Sequence, residues 1–197
     1  MKSQPVEIHP LEPFLPERAK LLMLGSFPPK KERWSIEFFY PNFINDMWRI
    51  MGLIFFDDKE HFIAKEKNGK RSRRFSKEAC TVFATEKGIA MYDTACEVRR
   101  LKDNASDKFL EVVKATDLAG LLARIPECKA VVTTGQKATD VITGTFGCAE
   151  PATGSYTEFN IGERAIRFWR MPSSSRAYPL PVEKKAEFYR KMFETEL

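Results

Sequence analysis

Two side-chain amides, Asn42 and Asn45, stand in the run Phe38-Phe-Tyr-Pro-Asn-Phe-Ile-Asn-Asp-Met-Trp48. An amide oxygen can hold a water molecule and support positive charge nearby, although it is no strong base. Asn is also a favoured helix N-cap, and on residue type alone capping is the first reading of Asn45. Phe39 and Tyr40, just upstream, could stack on a flat ligand, though core packing is the commoner fate of each. A second group is Gly25-Ser-Phe-Pro-Pro29, directly after the apolar run Leu21-Leu-Met-Leu24. Gly25 permits close backbone approach, and Pro28 and Pro29 stiffen the loop so that its amides are fixed in advance. A third is Met171-Pro-Ser-Ser-Ser-Arg176 after Ile166-Arg-Phe-Trp-Arg170, where small hydroxyls and exposed amides suit phosphate oxygens but would equally make an ordinary turn.

These groups need a scaffold that brings distant loops together. Residues 20–24, 89–92 and 129–134 are short apolar runs closed by Gly25, Asp93 and Gly135, and read as strands. Residues 156–161 and 165–169, separated by Gly162-Glu-Arg164, read as a hairpin whose second arm delivers the serine loop. Helical spacing predicts helices over 43–55, where Phe43, Met47, Ile50, Met51 and Ile54 align, and over 76–86, 106–113, 117–125, from 135 to 145, and 182–194. Trp48 then falls on one packed face with Ile44 and Met51. Strands alternating with helices predict an α/β fold: a three-layer α/β/α sandwich with a mostly parallel, four-stranded central sheet. Such a sheet places its ligands outside the carboxyl ends of its strands, where the first and third groups would meet. Four prolines in the first sixteen residues predict an extended lead-in.

With 197 residues, 43% of them apolar, the chain suits one domain over 1–197. No apolar run reaches the roughly 18 residues of a membrane span, and no signal-peptide pattern opens the chain. A cytoplasmic, monomeric protein is the expectation. Cys80, Cys96, Cys128 and Cys148 form no CxxC pair, which argues against zinc or iron–sulfur sites of the usual spacing, so no metal or cofactor is expected. The net charge of +5 is compatible with a polyanionic partner. Residues 65–77 concentrate seven basic side chains against one acid around Gly69, which reads as a loop that is either solvated or set against phosphates.

Taken in order, the Gly25 loop, the Asn42/Asn45 segment, Gly88-Ile-Ala-Met-Tyr-Asp93, Val131-Val-Thr-Thr-Gly-Gln-Lys-Ala138 and the Pro172 serine loop resemble the uracil-DNA glycosylase superfamily, nearest its hypoxanthine-DNA glycosylase and mismatch-specific branches. Residues 57–77 have no counterpart. The resemblance implies a monofunctional DNA N-glycosylase that flips a deaminated base, hypoxanthine or uracil, out of DNA and hydrolyses its glycosidic bond. In mismatch-specific relatives the third residue of the first loop is a catalytic Asn; here it is Phe27, which cannot orient water. In the hypoxanthine branch an Asn three residues before a Trp carries catalysis, which implies Asn45, with Asn42 as second candidate because the register upstream differs. Gly25, Ser26, Phe27, Phe39 and Tyr40 would then hold the base, and Asp93 would either border it or cap the next segment. Ser173 and Ser174 would contact phosphate, Ser175 and Arg176 would enter the duplex, and Lys137 would touch phosphate or lie in solvent. Some relatives have a His at the position of Met171, and His9 and His61 belong to no motif. A catalytically silent nucleic-acid-binding module is the rival reading, and a nucleoside hydrolase, which has no use for the serine loop, a weaker third.

Overall fold

A computed structural model describes residues 4–66, 69–101 and 109–197. The central sheet has five strands in the order β5-β2-β8-β10-β9, comprising β2 (Leu21–Gly25), β5 (Ile89–Asp93), β8 (Ala130–Thr134), β9 (Ser155–Ile161) and β10 (Arg164–Met171). β5, β2, β8 and β10 run parallel, and β9 pairs antiparallel with β10. The expected count of four is therefore corrected to a mixed sheet of five. The tight turn at Gly162, φ +59°, folds β9 back onto β10 and adds an antiparallel edge. β5 and β8 are buried along their whole length and β2 up to Gly25. Strands this apolar must be covered on both faces, and the cover comes from α2 (Lys77–Lys87), α4 (Gln136–Phe146) and α5 (Val182–Glu196), which pack on β5, β8 and β10 respectively.

Two features were not expected from the sequence. The lead-in contributes β1 (Val6–Ile8), which joins β6 (Ala95–Arg100) and β7 (Leu110–Ala115) in a small antiparallel sheet, β1-β6-β7. β7 replaces most of the helix expected over 106–113, whose first residues lie outside the described ones. Its alternation of buried Leu110 with exposed Glu111 and half-buried Val112 is that of a strand with one covered face. The described part of the basic segment likewise holds a strand pair, β3 (Ile63–Lys65) against β4 (Arg71–Phe75), with Gly69 at φ +79° donating to the Glu66 carbonyl.

Helix α1 (Met47–Phe56) begins four residues later than expected. Ile44 is exposed, so Trp48 packs with Met47, Ile50 and Met51 and stacks on Phe38 at 5.9 Å. Ser76 and Asp117 cap α2 and α3 (Leu118–Arg124) by accepting from the amides of Ala79 and Gly120. The four cysteines are free thiols; burial pushes Cys128 up to about 12 and raises Cys80 as well, as expected of packed, unreactive sulfur. No helix of the described residues is long and apolar enough to cross a membrane.

Candidate active site

A cavity of about 610 Å³ opens at the carboxyl ends of β2, β5, β8 and β10. Gly25, Ser26, Phe27, Phe39, Tyr40, Asn42, Asn45, Ser173, Ser174, Ser175 and Arg176 all line it, together with Asp93, Thr134, Arg33 and Arg100. Three segments, the last more than a hundred residues beyond the other two, thus share one wall. Lys137 does not reach it. That side chain borders a neighbouring groove of about 510 Å³, which shares Ser173 and Tyr178 with the first cavity.

The first loop is fixed from several sides. A Cβ on Gly25 would come to 2.3 Å from Asp93 Oδ1, so only glycine allows the carboxylate its place at the end of β5. The Pro28 carbonyl accepts from Arg100 Nη2 (2.6 Å), and Arg100 is itself paired with Glu7 at 3.0 Å. Trp34 Nε1 donates to the Pro29 carbonyl at 2.7 Å. Phe27 is only 8% exposed; its ring packs on Ala95, Val98 and Leu110 of the small sheet and under the Arg100 guanidinium. It contributes a rigid wall more than a free stacking face.

The aromatic and amide segment is held just as tightly. Tyr40 adopts φ +51°, a left-handed conformation that costs a bulky residue energy and persists only where its surroundings enforce it. Here Trp48 Nε1 donates to the Phe39 carbonyl (3.1 Å), and Ser35 holds the Pro41 carbonyl through both its amide and its hydroxyl. The Tyr40 hydroxyl meets Thr134 Oγ1 at 3.3 Å, and burial drives its phenol well above the ordinary tyrosine range. Phe39 is buried among Phe38, His9 and Tyr92. Asn42 Oδ1 accepts from the Ile44 amide (3.1 Å), and Asn45 Oδ1 from the Met47 amide (2.9 Å). Both are Asx turns. Asn45 is therefore not the N-cap, which is Asp46, but braces the first amide of α1 from one residue before it while also lining the cavity; a carbonyl oxygen with two lone pairs can accept a second bond there.

The serine loop is bolted to this segment by a buried charge cluster. Asp46, 4% exposed, donates its amide to the Ser174 carbonyl (2.9 Å), and its carboxylate receives Lys185 Nζ at 2.8 Å and Arg176 at 3.2 Å. Lys185 is fully buried and also donates to the Ser175 carbonyl at 2.8 Å. Tyr189 donates to the Pro172 carbonyl (2.8 Å). Arg176 thus lies folded onto Asp46 with half its side chain exposed. Nearby Arg49 is pushed below its ordinary value by burial and by Arg176.

Three residues that brace the cavity walls through buried contacts escaped the reading from sequence. Lys185 had a signal: it falls on the apolar face of α5 with Val182, Ala186, Tyr189 and Phe193, where a lysine must find a buried anion. Asp46 adjoins Asn45 but has no distinctive type. His9 had none at all, since its partner, Asp93, is 84 residues away: His9 Nε2 meets Asp93 Oδ2 at 2.8 Å, with the ring 1% exposed.

No family model matches the chain, and no curated protein matches it. Among solved structures, it is similar to the solution NMR structure of a protein from Methanosarcina acetivorans described as a "putative Uracil DNA glycosylase", with 20% identity, a TM-score of 0.57 and 98% of each chain covered. Over nearly their whole lengths, the two chains share one mixed α/β fold.

Proposed function

We propose that the protein is a DNA glycosylase that takes an extruded, deaminated base, hypoxanthine or uracil, into this cavity and hydrolyses its bond to the sugar. The observation that carries the proposal is the convergence of the Gly25 loop, the Asn42/Asn45 segment and the serine loop on one cavity at the carboxyl edge of the sheet. Its volume lies within the roughly 300–1,000 Å³ usual for small-molecule sites. The shared fold is consistent with it.

In this reading the base lies between the Gly25 loop and the Phe39–Tyr40 wall. Backbone amides of a loop locked by Arg100 and Trp34 face the base carbonyls as they gain charge, and such fixed donors need no reorganisation during reaction. Asn45 holds the attacking water beside the sugar carbon, and its oxygen supports the oxocarbenium-like charge that develops there. Asn42, turned into its own Asx bond at the rim, is the alternate holder of that water. Ser173 and Ser174 meet the flanking phosphate with hydroxyl and amide groups. Ser175 and Arg176 fill the vacated stack, and Arg176 must leave Asp46 to do so; Lys185 remains to neutralise that carboxylate.

Two facts favour the rival, a silent binding module: Phe27 stands where a polar group would orient water, and Asn45 already accepts from Met47. Incubation with duplexes bearing hypoxanthine or uracil, followed by alkaline strand scission, separates the readings, because only a glycosylase leaves an alkali-labile abasic site.

A further inference from the structure

The N-terminal lead-in has a reason to be ordered that the mechanism above does not use. β1 pairs with β6, and the His9 amide donates to the Cys96 carbonyl at 2.8 Å. Phe14 exchanges backbone bonds with Met91 of β5 at 2.9 and 3.0 Å. Between these two anchors the His9 ring lies beside Tyr92 at 4.5 Å and edge-on to Phe27 at 5.2 Å. Its Nδ1 is within bonding distance of both the amide and the carbonyl of Leu11, at 3.2 and 2.8 Å. In the neutral tautomer whose Nδ1 accepts from the Leu11 amide, and in the imidazolium, whose Nδ1 donates to the Leu11 carbonyl, Nε2 carries the proton that points at Asp93. With that proton on Nε2, Asp93 is held as an acceptor, one oxygen bonded to His9 and the other against Gly25, on a residue that lines the cavity.

We propose that His9 is a positioning residue that fixes the Asp93 carboxylate to accept the proton on the ring nitrogen of the extruded base. The proposal rests on the glycosylase reading and names its selectivity. Deamination turns a bare ring nitrogen beside an amino group into an N–H beside a carbonyl, the edge that hypoxanthine and uracil share. A carboxylate only accepts hydrogen bonds, so it welcomes that N–H and repels the lone pair of adenine or cytosine at the same place. Sites built to bond a particular N–H reject analogues that lack it far more strongly than apolar pockets do. His9 does not line the cavity itself, so its effect must pass through Asp93. Without a partner the buried carboxylate would turn toward solvent or take up a proton, and either change spoils the acceptor.

The test compares the native protein with His9→Phe, which keeps ring volume but has no donor, and His9→Gln, whose amide nitrogen can stand in for Nε2. Affinity is measured for two duplexes, one with a non-cleavable 2′-fluorinated hypoxanthine nucleotide and one with an abasic analogue. Their ratio isolates recognition of the base. His9→Phe should reduce the native preference for the base by about 10- to 100-fold, the worth of a hydrogen bond to a charged group, and His9→Gln should restore most of it. An unchanged ratio in His9→Phe overturns the proposal, as does a His9→Gln variant as deficient as His9→Phe; general misfolding would weaken both duplexes alike and leave the ratio in place. A native protein that neither prefers the base nor excises it overturns the glycosylase reading and this proposal with it, whereas excision by a native protein whose ratio His9→Phe leaves intact overturns this proposal alone.

Discussion

Asn45 makes one structural bond, and the catalytic duty proposed for the same side chain can be separated from it. Its oxygen accepts from the Met47 amide, so Asn45→Ala should cost about 1 kcal/mol of stability, the usual net worth of one hydrogen bond. If it also holds the attacking water, the same change should lower single-turnover excision by roughly two to four orders of magnitude with little effect on affinity for an abasic duplex. Asn42→Ala, which loses a comparable bond to the Ile44 amide, is the control for the structural share. Near-native excision by Asn45→Ala together with a large loss in Asn42→Ala would exchange their roles. Gly25→Ala tests the floor of the cavity. Its new methyl would meet Asp93 Oδ1 at 2.3 Å, so the carboxylate must move, and excision should fall well beyond any loss of thermal stability. These residues differed in how far sequence exposed them. Gly25, Asn45 and the serines stand in local runs whose neighbours declare a turn or a helix start; His9 and Asp46 depend on partners that only the folded chain brings near.

The parallel core was legible because β2, β5 and β8 are continuous apolar runs closed by a turn residue or a carboxylate, a pattern that few other structures need. The small sheet was not, because β1 is three residues long and mostly exposed, and tertiary pairing with β6 overrides its weak local preference. The same holds for the basic hairpin, whose arginines hide a strand period. That hairpin is anchored beside the site: Phe75 packs on Phe43 at 5.2 Å, and Arg49 lies over both rings. Arg71 is paired with Glu60, whereas Arg73 and Arg74 are exposed. Replacing Arg73 and Arg74 by Ala should flatten the slope of log affinity against log salt by up to about one unit per lost phosphate contact, and an unchanged slope would leave the hairpin as solvated surface. The cluster behind the serine loop gives a second expectation. Lys185→Met should destabilise by roughly 3 kcal/mol in chemical unfolding, the low end for breaking a buried pair, since Arg176 still serves Asp46. A loss near zero would show that the cluster is not what ties the loop to α1.

Across the whole molecule, the arrangement is a rigid cavity wall built by the parallel sheet, with one arm, Arg176, free enough to change partner. Unstacking a base costs a few kcal/mol, and a residue that fills the gap recovers part of it. Arg176→Ala should therefore slow excision from a stable base pair more than from a mismatch or a single strand, where extrusion is easier. Equal losses on all three would make Arg176 a phosphate contact instead. The measurement that bears most directly on the function is single-turnover treatment of hypoxanthine- and uracil-containing duplexes with the native protein and with Asn45→Ala, followed by alkali. Scission at the modified position by the native protein, lost by at least about a hundredfold in Asn45→Ala, is the expected result. Duplexes that are bound yet remain intact under alkali would contradict a glycosylase and leave a nucleic-acid-binding module on the same fold.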